Sequence, residues 1–248
     1  ILTQTRHVLR EMCTMTWWRG DDRYEVFFNR DELKTRARAL PPQRRRTEHG
    51  VRYLAPTDPD AGGSWMLVNE YGVTVSLLNR WHEGAAVPAP MRSRGQLVLG
   101  FAGAASAAEV IDGLRKTDCT GIKPFTLVAM DRMDTLVEAW DGCRLLSEKA
   151  TAPLVSSSYC FAQVRQARKD QYAKLPAPTP EALRDYQAGA TEPSAFTVRM
   201  NRPDAQTWSR SRIRVGADTV RWQYIEEPPD LVGKSIEYCV DLDRRGGS

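Results

Sequence analysis

Two short apolar runs near the start of the chain, residues 13–18 (CTMTWW) and 24–28 (YEVFF), flank the turn-forming set Arg19-Gly20-Asp21-Asp22. This pattern predicts a β-hairpin. A side-chain period of two puts Cys13, Met15 and Trp17 on one face of it. Residues 33–59 are polar, Arg-rich and Pro-containing and read as a loop, with Arg44-Arg45-Arg46 a solvated part of it. Gly62-Gly63 then leads into residues 64–68, a turn at 69–72 and residues 73–78, a second hairpin.

The period changes after Ser93. Leu97, Val98 and Phe101 suit a short helix, and Ser106 with Glu109 three residues on predicts a capping box for a helix running to about Leu114. Residues 124–130 and 135–140 read as strands, with residues 144–146 a short third. Residues 160–175 are helical in composition, and Pro176, Pro178 and Pro180 stop that helix. Residues 206–215 and 220–225 predict a last hairpin, whose Arg210, Arg212 and Arg214 share one face, most simply a solvent face. Strands, helices and strands again imply two antiparallel sheets with helices packed outside. Residues 244–248 are expected to fray.

Composition narrows the class. The 248 residues are 42% hydrophobic and 27% charged, with 17 Gly and 15 Pro, which excludes collagen-like and low-complexity chains. No apolar run approaches the roughly 20 residues of a membrane span. Residues 1–11 carry Arg6 and Arg10 but no signal-like stretch, so a cytoplasmic protein is expected. The net charge is +4, with acidic residues spread throughout, which argues against nucleic-acid binding. Of the 35 basic residues 28 are Arg, a bias that suits fixed ion pairs but also follows from genome base composition. Five Cys without a C-x-x-C pair argue against a disulfide framework. His7, His49 and His82 are never four residues apart, and His49 and His82 follow turn-like sequence; neither a metal site nor any other cofactor is expected.

Three features carry candidate chemistry. Cys13 follows Met12, so a chain started at Met12 and trimmed of it would expose an N-terminal cysteine. Such a residue holds nucleophile and base together, because its own α-amine takes the thiol proton. A buried strand cysteine is the alternative. With residues 1–12 attached the nitrogen is a peptide and cannot act as that base, so residues 1–11 read as a leader or an over-extended start. Asn29-Arg30-Asp31-Glu32 follows the second strand and would lie beside Cys13, where a guanidinium lowers a thiol pKa. A polar turn with a local ion pair is the alternative there. Asn79 ends the strand bearing Val73, Val75 and Leu77; its amide would donate to an oxyanion, or would start a turn.

In order, M-C-T-M, F-F-N-R-D-E and G-G-S-W-M-L-V-N-E-Y-G-V-T-V-S-L-L-N resemble the NRDE family, whose animal member is transport and Golgi organisation protein 2. Residues 154–158 (LVSSS) and 201–211 (NRPDAQTWSRS) extend the resemblance to about Tyr224. It implies a single domain over residues 12–243 with an α+β fold, an αββα four-layer sandwich similar to N-terminal nucleophile hydrolases. In layout the chain resembles penicillin V acylase and bile salt hydrolase. Carried over, Cys13 is nucleophile and base, Arg30 and Asp31 support it, and Asn79 is the oxyanion donor. Asn29 and Glu32 stand in reserve. Ser157 takes the place of a second active-site Asn, and Asn201 a place where the family often has His. Asn29, Ser157 and Trp65 are candidate substrate contacts.

The expected function is an amidohydrolase cleaving a linear C–N amide bond of a small-molecule substrate through a thioester. The alternative implied by the animal relatives is a non-catalytic binder or carrier of haem or acyl-lipid, with haem or acyl-coenzyme A as ligand. Trp17, Trp18, Trp65, Met15 and Met66 would then line its pocket. A structural protein on an inactive fold is a third reading.

Overall fold

The structure is a computed structural model and describes residues 12–80, 92–189, 191–229 and 234–245. The expected leader, His7 and His82 lie outside the described residues. The hairpin at the start forms from β1 (Met12–Arg19) and β2 (Tyr24–Leu33), but β2 runs on through residues 29–32, expected after the strand or in a polar turn, because those residues pair with β1 and β11 on either side. Its partners are remote in sequence. β10 (Leu154–Ser157) pairs with β1, and β11 (Ala205–Val215), β12 (Thr219–Glu226) and β13 (Ile236–Asp243) continue the sheet beyond β2. All neighbours in this sheet run antiparallel.

The second sheet is built in chain order from β3 (Leu40–Arg46), β4 (Arg52–Thr57), β5 (Met66–Asn69), β6 (Thr74–Asn79), β7 (Phe125–Met130), β8 (Thr135–Trp140) and β9 (Leu145–Glu148). Asn69 makes the β5–β6 turn by accepting from the N–H groups of Tyr71 and Val73. Met15, Phe28, Ile213, Trp222 and Tyr224 of the first sheet pack in one buried cluster with Leu54, Met66, Val68, Val128 and Met130 of the second. At about 1.5–3 kcal/mol for each fully buried large apolar side chain, this shared layer is the main force holding the sheets together.

Helices cover both outer faces. α1 (Arg94–Gly100) and α2 (Ala107–Lys116) bury Val98, Val110, Ile111 and Leu114 against Leu67, Val75 and Leu127 of the second sheet. Ser106 caps α2 by accepting from Glu109 N–H at 3.1 Å, as its spacing implies. α3 (Phe161–Ala173) and α4 (Pro180–Ala188) lie behind the first sheet, where Val164 joins Met12, Met200 and Ala205. The architecture is the expected αββα sandwich.

Four other local expectations change. The span 33–59 is not one loop, since it contains β3 and β4. β3 is an edge strand, where Pro41 and Pro42 remove no needed donor and the arginine triplet stays largely solvent-facing. Pro180 starts a helix where it was expected only to stop one: Thr179 is the N-cap and Pro occupies the first turn, where its missing N–H costs nothing. β13 is not among the expected strands, although Ile236, Tyr238, Val240 and Leu242 alternate there with Glu237, Cys239, Asp241 and Asp243. Arg244 and Arg245 do not fray: Arg244 N–H donates to Asp218 O at 2.8 Å, and Arg245 N–H to Glu70 O at 2.8 Å. Residues 246–248 lie outside the described residues.

The arginine face of β11 also differs from a plain solvent face. Arg210 pairs with Glu227 at 2.7 Å, while Arg212 and Arg214 reach Glu25 at 2.7 and 3.4 Å. Glu25 is fully buried beneath them.

Candidate active site between the sheets

Strand register decides what Cys13 faces. It lies directly opposite Arg30 on β2 and Ser156 on β10, and Arg30 in turn lies opposite Ser209 on β11. Directly opposed residues of an antiparallel pair share a face. Ser156, Cys13, Arg30 and Ser209 therefore form a row across the first sheet, on the side turned to the second. Cys13 is 6% exposed and Arg30 likewise 6%.

A cavity of about 310 Å³ opens over this row. From the first sheet it is lined by Cys13, Arg30, Asp31 and Glu32; from the second, by Trp65, Leu77 and Asn79. The preceding loop adds Asp58, and the start of α1 closes it with Gly95. The Gly62-Gly63 element explains that closure. A Cβ on Gly63 would sit 2.5 Å from the Gly95 carbonyl carbon, and one on Gly95 would sit 2.8 Å from Ser64 N. Only glycines at both positions let the two backbones meet, and Ser64 N–H donates to Gly95 O at 3.2 Å.

Electrostatics on the first-sheet side are closely paired. Arg30 binds Glu32 at 3.2 Å and stacks over Trp65 with its guanidinium carbon 4.4 Å from the ring centroid. Arg36 binds Asp58 at 2.6 Å and Asp60 at 3.1 Å. Two buried donors in the cavity wall, Arg30 Nη1 and Trp65 Nε1, have no hydrogen-bond partner among the described residues.

Asp31 lines the cavity but aims its carboxylate to the opposite face of the sheet. It accepts from Arg168 Nη2 at 2.9 Å and from the Thr207 hydroxyl at 2.6 Å. Burial pushes this carboxyl up from its ordinary range, with Arg168 and Thr207 opposing the shift. Asp31 lies opposite Met12, one step along β1 from Cys13.

Of the residues expected at the site, Cys13, Arg30, Asp31, Asn79 and Trp65 are brought to one cavity, and Glu32 joins them. Asn29 and Ser157 lie outside it. Asn29 alternates onto the helix side, where its amide donates to Gln187 O and Val198 O at 3.0 Å each. Ser157 lies opposite Met12; its hydroxyl donates to Tyr159 O at 2.6 Å with the Met12 sulfur 2.8 Å away. Asn201 donates through its backbone to Ser194 O and accepts from Lys34 Nζ at 2.9 Å, also away from the cavity. His49 is exposed, as its turn context implies.

Sequence reading missed Ser156, Arg36, Asp58, Arg92 and Lys123. Alternation would have found Ser156 once β10 was paired with β1. The others sit in connections without periodicity, so no local signal marks them. Among the described residues no group of three His, Cys, Asp or Glu side chains is arranged to hold a metal ion, and no helix is long and apolar enough to cross a membrane.

Residues 12–170 match the model of the family described as Transport and Golgi organisation 2. No curated protein matches the chain. Among solved structures, a Caenorhabditis elegans N-acylethanolamine-hydrolyzing acid amidase ortholog superposes with a TM-score of 0.59 at 13% identity, over 81% of this chain and 92% of that one. Two variants of a conjugated bile acid hydrolase from Clostridium perfringens give TM-scores of 0.53 and 0.54 at 11% and 12% identity. They cover 93% and 95% of this chain, and 92% and 97% of their own. At such identities the likeness is one of fold, that of N-terminal nucleophile hydrolases.

Proposed function

The chain belongs to the Transport and Golgi organisation 2 family, and on that premise we propose that it is a cysteine amidohydrolase acting on a small linear amide. The observation that carries the reading is the single cavity shared by Cys13, Arg30 and Asn79. In the active form Cys13 is the first residue. Its α-amine takes the thiol proton while Sγ bonds to the amide carbon, and the oxygen gains the negative charge. Asn79 Nδ2 donates to that oxyanion, an interaction worth several kcal/mol when held in place. Collapse breaks the C–N bond as the ammonium returns its proton to the leaving amine, giving a thioester. Water then attacks the thioester carbon, the amine takes its proton, and acid and free thiol are released.

The supporting residues have distinct tasks in this reading. Arg30, fixed by Glu32 and Trp65, places positive charge opposite the thiol. Asp31 keeps its carboxylate on Arg168 and Thr207 and acts as a positioning residue, tying the strand beside Cys13 to the helix behind it. The decisive test compares a chain beginning at Cys13 with one retaining Met12, both offered a set of small N-acyl amides. Turnover only by the trimmed chain, abolished by Cys13→Ala, is the expected result. Equal turnover by both chains, or activity surviving Cys13→Ala, would sink the reading.

One observation favours the binder alternative. In the chain as it stands, Met12 is fully buried and continues β1, so Cys13 N is a peptide nitrogen without basicity. Under that reading the protein binds haem or an acyl-lipid such as acyl-coenzyme A without reaction, the cavity of about 310 Å³ taking only part of either ligand. Saturable binding of either ligand by the Met12-retaining chain, with no amide turnover by either form, would select it.

A further inference from the structure

The cavity wall is not uniform in charge. On the side of Cys13, the cations Arg30 and Arg36 are met by Glu32, Asp58 and Asp60. The side of Asn79 is different. Asn79 pairs with Phe125 at the start of β7, and the segment just before that strand brings Lys123 into the wall. Arg92 runs alongside it, bridging Ile122 with its backbone N–H on Gly121 O at 2.9 Å. Arg94 follows, donating to Pro124 O at 3.2 Å.

Among the described residues, the carboxylates lining the cavity are Asp31, Glu32 and Asp58. Asp31 is turned to Arg168, and the other two belong to the arginine pairs on the Cys13 side. Lys123 makes no ion pair among the described residues; Arg92 Nη1 donates to a main-chain carbonyl, Asp118 O at 2.6 Å, and the Asp118 carboxylate, outside the cavity wall, is stabilised by the same guanidinium. Arg30 Nη1 and Trp65 Nε1, buried and without a hydrogen-bond partner among the described residues, add two donors. Counted over the described lining residues, the wall on the Asn79 side carries cations and no carboxylate, and such a wall is matched by a ligand rich in acceptors that carries a negative charge.

We propose that the substrate is a compact amide bearing a carboxylate, with the carboxylate held by Lys123 and Arg92 and the amide placed between Cys13 and Asn79. The assignment rests on the hydrolase reading for the amide, but its anion-binding half stands or falls separately. The cavity of about 310 Å³ is at the small end of ligand pockets and limits the whole molecule to a short acyl chain.

The test uses isothermal titration calorimetry on the full Cys13→Ala chain, so that binding is read without turnover. Two probes carry the carboxylate on opposite sides of the amide: N-hexanoyl-β-alanine on the amine side, and the mono-propylamide of adipic acid on the acyl side. Each is compared with its neutral carboxamide. The expected result is a preference of about tenfold or more for at least one carboxylate, reduced by added salt. That preference falls to within about twofold when Arg92→Ala and Lys123→Ala are added, with circular dichroism confirming the fold. Equal affinity for acid and carboxamide in both pairs overturns the proposal, as does a preference that survives the double substitution. Catalysis is scored apart, on the trimmed chain with Cys13 intact. Hydrolysis of the neutral carboxamide as fast as the acid overturns the proposal and leaves the hydrolase reading standing. A binding preference without hydrolysis of either does the reverse.

Discussion

The Arg168 guanidinium and the Asp31 carboxylate meet at 2.9 Å with neither side chain exposed to solvent. The pair joins α3 to the back of β2, and Arg168 Nη1 also donates to the Thr14 hydroxyl on β1 at 2.5 Å. One helix residue thus holds both strands that carry Cys13 and Arg30. The 137 positions separating the pair make it a long-range clamp.

Breaking that clamp by Arg168→Leu leaves a buried carboxylate without its partner. The expected cost is about 3–5 kcal/mol in denaturant unfolding. Adding Asp31→Leu removes the orphaned charge and recovers much of the loss. A double variant no more stable than Arg168→Leu alone would show that the pair is not the source of the effect.

Asn79→Ala should lower kcat of the trimmed enzyme by about 10²–10³-fold with little change in KM, because the lost donor acts on charge present only in the transition state. Steady-state kinetics on any amide the enzyme hydrolyses reads this directly. A rise in KM with kcat unchanged would instead place Asn79 in ground-state binding.

Core position matters more than residue type. Leu67 is fully buried between the second sheet and its helices, whereas Leu40 on the edge strand is 46% exposed. Leu67→Ala is expected to cost about 2–5 kcal/mol, and Leu40→Ala no more than about 0.5 kcal/mol. Urea titration of the two variants beside the parent checks the contrast.

Alkaline pH attacks the buried tyrosines. Burial pushes the Tyr224 phenol up to about 12, and raises Tyr24 and Tyr186 as well. Tyrosines in the unfolded chain ionise near pH 10. Above that pH the unfolded state has released protons that the native state still holds, so stability falls as pH climbs from about 10 towards about 12. Of the eight tyrosines, these three should gain phenolate absorbance only together with the loss of tertiary circular dichroism. Smooth titration of all eight in a folded protein would contradict their burial.

Much of the scaffold around the site was legible in local pattern. Alternation marked β1, β2 and β6, Gly62-Gly63 marked the lead into β5, and Ser106 marked the start of α2. What escaped was surface-facing or aperiodic. β3 hides behind Pro41, Pro42 and three arginines, and the first turn of α4 hides behind a proline that also serves as a helix start. Trp65 and Asn79 reach the cavity along strands whose period was readable; Arg92 and Lys123 reach it from connections with none.

By itself the order of residues determined that Cys13 shares a face with Met15 and Trp17, that Arg30 comes just after the apolar run 24–28, and that Asn79 ends an apolar strand. These are consequences of a two-residue period and of turns only a few residues long. Only the tertiary structure decided that Asp31 turns to Arg168, that Asn29 and Ser157 leave the cavity, and that Lys123 and Arg92 enter it. The reason is physical: pairing between distant strands is selected by the burial of whole faces. A side chain's destination across that gap depends on partners more than a hundred residues away.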